Sequence, residues 1–213
     1  MDLTFFRDIS ILIAIWVAIY GIDSWRREYR GKRQIELAEE TLSLFYEVSD
    51  AIAHIRNPLG FSNEYEDMER AENETDSQYH SRKQASIVFY RYEQHNELFS
   101  HLHSMRYRFM AAFGKQKAAP FDDIHKVVHE IILAARMLST MWAREYYPDE
   151  KSHEQHRQLV AKHESVFWFQ GEGDEIVSRV NSIVENIETT CREIIMGKGT
   201  IYYFLNWKRQ KNG

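Results

Sequence analysis

Ten histidines beside a single cysteine make metal ligation the first chemistry to test. His125 and His129 stand four residues apart and share one face of a helix, and Asp122 precedes His125 by three. That spacing lets one carboxylate and two imidazoles approach a common cation. His101 and His103 add imidazoles, and Glu150-Lys151-Ser152-His153 has the Glu-x-x-His spacing of di-iron bundles. A di-iron site needs two such motifs and two further inward-facing glutamates. Here only one motif occurs, in a segment without an apolar stripe. The zincin order His-Glu-x-x-His begins at His129-Glu130 and fails at Leu133. The candidate metal ligands are therefore His125, His129 and Asp122, weighed against a reading as solvated or hydrogen-bonded structural residues. No cofactor is expected.

Nucleophilic chemistry has less support. Cys191 lies on the apolar side of a helical segment with Val184, Ile187 and Ile194, where cysteine behaves as a small hydrophobe. No serine stands in a Gly-x-Ser-x-Gly elbow, and nine glycines form no phosphate-cradling loop. Adjacent carboxylates such as Glu39 and Glu40 read as helix-surface charges. The pattern leans away from an enzyme and names no catalytic residue.

The elements that must position these residues begin with an apolar run from Leu3 to Trp25, followed at once by Arg26, Arg27, Arg30, Lys32 and Arg33. Between Ile9 and Ile22 the chain is apolar apart from Ser10 and Gly21. With its flanks the run reaches about 20 residues, or roughly 30 Å, enough for one transmembrane helix. Arg7 and Asp8 then fall near the outer end, within reach of headgroups. No basic stretch precedes the run and no small-x-small site follows it, which disfavours a cleaved signal peptide. The excess of basic residues after the span places the remaining chain in the cytoplasm. The expected membrane interface comprises Trp25, Arg26, Arg27, Arg30, Lys32 and Arg33. The aromatic and basic tail 200–213 adds Trp207, Lys208 and Arg209, and a strap packed on the bundle competes with that reading of the tail.

Beyond the anchor, apolar residues recur at helical spacing in four long segments: 24–56, 79–113, 121–147 and 174–196. The first joins the anchor with no intervening proline, so the two form one semi-rigid rod that stops at Asn57-Pro58-Leu59-Gly60. The third has the cleanest period, through Ile124, Val128, Ile131, Ala135, Leu138 and Trp142. A polar helical segment over 150–169 ends in Val166-Phe167-Trp168-Phe169, and no hairpin signal is present. The expected fold is all-α: an N-terminal transmembrane helix continuing into an antiparallel four-helix-type bundle. The expected organisation is an anchor at 1–25, a cytoplasmic bundle at 26–199 and the tail at 200–213, with an acidic loop at 57–78 as a connection or a docking segment for a basic partner.

Composition agrees with this division. The charged residues make up 28% of 213, and the net charge of −5 argues against a nucleic-acid partner, which needs a concentrated basic face. One cysteine excludes an internal disulfide and fits a reducing compartment.

Trp25-Arg26-Arg27-Glu28, Gly31-Lys32-Arg33, the helix Glu36-Leu37-Ala38-Glu39-Glu40-Thr41-Leu42 and the phrase Phe89-Tyr90-Arg91-Tyr92 follow the anchor in an order that resembles bacterial single-span membrane-anchored helical proteins of no known function. The resemblance covers most of the chain and implies a bacterial inner-membrane location. It brings no catalytic residue, cofactor or substrate. Two functional readings follow. In one, the tethered bundle is an interaction, scaffold or sensing module for a protein partner or a second copy of itself. In the other, it binds a metal or small ligand at a histidine-lined site.

Overall fold

The computed structural model describes residues 3–60, 64 and 68–197, with the side chains of 3–10, 12, 14 and 15 outside that description. These residues form six α-helices and no strand: α1 (Leu3–Ile55), α2 (Asp76–Gln94), α3 (Asn96–Phe113), α4 (Ala119–Met141), α5 (Glu150–Phe167) and α6 (Glu175–Ile195). The chain is all-α. It divides into two compact units, 1–40 with 191–213 and 41–190.

α1 runs unbroken for 53 residues. Gly31 does not interrupt it; a side chain there would meet open space. Among the described residues no helix is long and apolar enough to cross a membrane. The apolar run 3–25 belongs to α1, and much of its first half lies outside the described side chains. The tail 200–213, with Trp207, Lys208 and Arg209, lies outside the described residues altogether.

Helix boundaries differ from the sequence expectation, and the helix expected over 121–147 stops at Met141. The single helix expected over 79–113 is two helices, because the chain breaks at His95 (φ −106, ψ 12). Neither glycine nor proline causes the break; there His95 Nε2 lies 3.1 Å from His54 Nδ1 of α1. α2 also starts earlier than expected. Thr75 Oγ1 accepts from the Gln78 N–H at 3.2 Å and Gln78 Oε1 accepts from the Thr75 N–H at 3.0 Å, a reciprocal cap that extends the helix to Asp76. The polar segment after Pro148 is a full helix, α5, started by Asp149, whose carboxylate accepts from the Ser152 N–H at 2.7 Å. Six helices thus stand where the apolar periods marked four.

The core of 41–190 is built on α4. Phe121, Ile124, Val128, Ile131, Ala135 and Leu138 are buried at three-four spacing. Phe121 meets Phe45 edge-on (4.9 Å, 85°) and leans on Phe109 at 5.5 Å. Burying a ring of that size stabilises the fold by about 1.5–3 kcal/mol. α4 packs closely along α2 and α5 and touches α3 only sparsely.

Two buried arginines close the helix ends. Arg91 of α2 donates to the carbonyls of His54, Asn57 and Leu59, where α1 stops, and pairs with Glu64 at 2.8 Å. Arg56 donates to the carbonyls of Ser165, Val166 and Trp168, where α5 stops, and to both oxygens of Asp174 at 2.9 and 2.8 Å. Asp174 in turn accepts from the Val177 N–H at 2.9 Å and so caps α6. Burial alone would raise the Asp174 carboxyl. The Arg56 hydrogen bond and the N–H groups of Gln170 and Val177 outweigh it and hold the carboxyl below the ordinary range.

The acidic stretch is tied down by α2 where it is described. Arg82 grips both oxygens of Glu74 at 2.7 Å and also donates to the Glu69 carbonyl, while the Tyr79 hydroxyl donates to the Met68 carbonyl. Hydrogen bonding from Arg82 holds the Glu74 carboxyl at about 2. Glu64 and Glu74 are thus engaged by arginines of this chain's own α2, and 61–63 and 65–67 lie outside the described residues.

Candidate functional site: a cleft between α3 and α4

Sparse contact between α3 and α4 leaves space between them. The break at His95 lets α3 take a course separate from α2, and the result is a cleft of about 630 Å³ within the unit 41–190. That volume is in the range of small-molecule sites.

One side of the cleft comes from a second stripe on α4. Beside the core stripe run Asp122, His125, His129, Ile132 and Arg136, again at three-four spacing and one position out of phase with it. His125, His129 and Arg136 are exposed along this line. α3 supplies His103 and Arg106, and the end of α2 supplies Tyr92. Tyr92 stacks on the buried Phe99 with ring centres 5.0 Å apart and planes within 17°, and both rings belong to the cleft lining.

The candidate ligands are brought to one place, though with different partners from those the spacing suggested. Asp122 is taken by Arg106: Nη2 donates to Oδ2 at 3.1 Å, and Nε lies 2.8 Å from Oδ1 without pointing its N–H at that oxygen. His125 and His129 face the same cleft as His103, not a carboxylate cage. Among the described residues no group of three His, Cys, Asp or Glu side chains is placed to hold a metal ion. Glu150 and His153 are both on the surface, and His153 lies against the Tyr147 ring at 4.7 Å. His95, at the break between α2 and α3, lies against His54. Cys191 is buried, and burial pushes its thiol up to about 12, far from a nucleophile's range.

Compared with known proteins, the chain matches no family model, no curated protein and no solved structure. Its function must be argued from the geometry alone.

On α1, Trp25, Arg26, Arg27, Arg30, Lys32 and Arg33, the residues expected at a membrane interface, are all exposed. Arg26, Arg30 and Arg33 recur at four and three residues and share one face. Arg27 pairs with Asp23, and Trp25 stacks on Tyr29 at 5.8 Å. Sequence reasoning missed Arg136 and Arg106 as members of the cleft. The signal was present for Arg136, since the offset stripe on α4 can be read from spacing. Arg106 comes from another helix, and nothing local marks it.

Proposed function

We propose that the chain is a membrane-tethered helical module. The start of α1 anchors it by a single span in a bacterial inner membrane, and the helices that follow lie in the cytoplasm, where they recruit or sense a protein partner or a second copy of the chain. The supporting observation is the uncovered apolar surface of α1. Ile11, Ile13, Trp16, Val17, Ile19, Ile22 and Trp25 are each more than half exposed. At about 100° per residue they fall on every side of the helix instead of along one stripe. A helix apolar all round needs apolar surroundings on all sides, which lipid supplies. The basic face of Arg26, Arg30 and Arg33 follows directly and suits the anionic inner leaflet.

The full-length chain, expressed in a bacterium, is expected to stay with the membrane pellet through an alkaline carbonate wash and to leave it in detergent. A chain beginning at residue 26 is expected in the soluble fraction. Recovery of the full-length chain in the carbonate supernatant would falsify the tether.

A second reading, a small-ligand site in the helical body, is favoured by the cleft between α3 and α4. Three histidines line it, together with Arg136, to which no ion pair is made among the described residues.

A further inference from the structure

We propose that this cleft binds a small planar organic anion, of the class of an aromatic carboxylate or sulfonate. The inference rests on the reading of the cleft as a ligand site and adds the chemistry of the ligand. Two features carry it, one for the flat body and one for the charge.

The half-buried ring of Tyr92, backed by the buried Phe99 stacked on it, offers a flat apolar face in the lining, and Phe121 and Val128 lie buried beside it. A conjugated ring stacks on such a surface, covering apolar area on both sides of the contact. The charge follows from what remains after the internal pairing is counted. Among the described residues Asp122 is the only carboxylate in the lining, and Arg106 already neutralises it. That leaves the Arg136 guanidinium, with His125 and His129 as further N–H donors on the same helix and His103 on α3. A guanidinium recognises a carboxylate or sulfonate by two parallel hydrogen bonds, and imidazole N–H groups add single ones. A cation would meet no available carboxylate in this lining. The repeat of His125, His129 and Arg136 along α4 places these donors on one side of the cleft.

The test uses the full-length chain in lipid nanodiscs, titrated calorimetrically with naphthalene-2-sulfonate and with the neutral naphthalene-2-sulfonamide, subtracting empty discs. The sulfonate is expected to bind about tenfold more tightly than the sulfonamide, the scale of one charge-assisted contact. Arg136→Gln is expected to remove that advantage and leave sulfonamide binding unchanged. Ser100→Trp, which places a large ring at an exposed position of the lining, is expected to abolish binding of both. Thermal unfolding of each variant separates a lost site from a lost fold. Equal affinity for the two probes would overturn the anion and keep the cleft as an apolar site. Binding of neither probe would overturn both readings, and binding insensitive to Arg136→Gln and Ser100→Trp would move the site elsewhere on the molecule.

Discussion

A neutral imidazole at His95 suits the folded chain better than a charged one. Partial burial lowers its affinity for a proton, and charge on the neighbouring His54 lowers it further. His163 is shifted in the same direction, first by burial and then by Lys162. At pH above the ordinary histidine value of 6.5, both folded and unfolded chains hold these rings neutral and the full stability is present. As pH falls below 6.5 the unfolded chain takes up protons first, so stability declines until the folded rings titrate in turn. The melting temperature is therefore expected to drop on acidification from pH 7 into the range below 6.5. His95→Gln, which retains a hydrogen-bonding group for His54, is expected to flatten that slope in a pH series of thermal melts. An unchanged slope would take His95 out of the account.

At the scale of elements, the helix ends are closed by side chains from distant parts of the chain. Arg91 satisfies the terminal carbonyls of α1, and Arg56 satisfies those of α5 while fixing the cap of α6. Arg56→Ala leaves Asp174 buried without its cation and is expected to cost about 3–5 kcal/mol of stability. Arg91→Ala removes the donor to the carbonyls that close α1 together with the Glu64 pair and is expected to lower stability as well. Urea unfolding measures both, and Arg56→Lys should recover only part of the loss, because an ammonium cannot match five donors in a fixed fork. These contacts also explain what could and could not be read in the sequence. The continuous α1 was legible because no proline interrupts it, and the α4 core stripe because apolar residues at helical spacing report burial directly. The break at His95 was not, since the apolar stripe runs through it and the partner, His54, is 41 positions away. Arg56 and Arg91 look like surface residues by type. Their burial depends on carbonyls and carboxylates that only the folded chain supplies. The pairing of His125 with His129 on one face could be read from spacing, whereas the approach of Arg106 to Asp122 across helices could not.

For the whole molecule, the division into 1–40 with 191–213 and 41–190 separates the exposed apolar start of α1 from the unit that holds the α4 core, both buried arginines and the cleft. Side chains such as Trp16, Ile19 and Ile22, left largely uncovered, add little to the packing of the chain. A chain beginning at residue 26 is therefore expected to unfold cooperatively, with a melting temperature within about 4 °C of the full-length value, a difference of about 1 kcal/mol. A non-cooperative melt would show that the body depends on the apolar start of α1. The Arg56 latch also sets an order of events during synthesis. Its carboxylate partner lies 118 residues further along the chain, so at about 5–20 residues per second a ribosome delivers Asp174 roughly 6–24 s after Arg56. For most of that interval the nascent chain carries an arginine destined for burial with neither its carboxylate nor the Ser165, Val166 and Trp168 carbonyls that arrive just ahead of it.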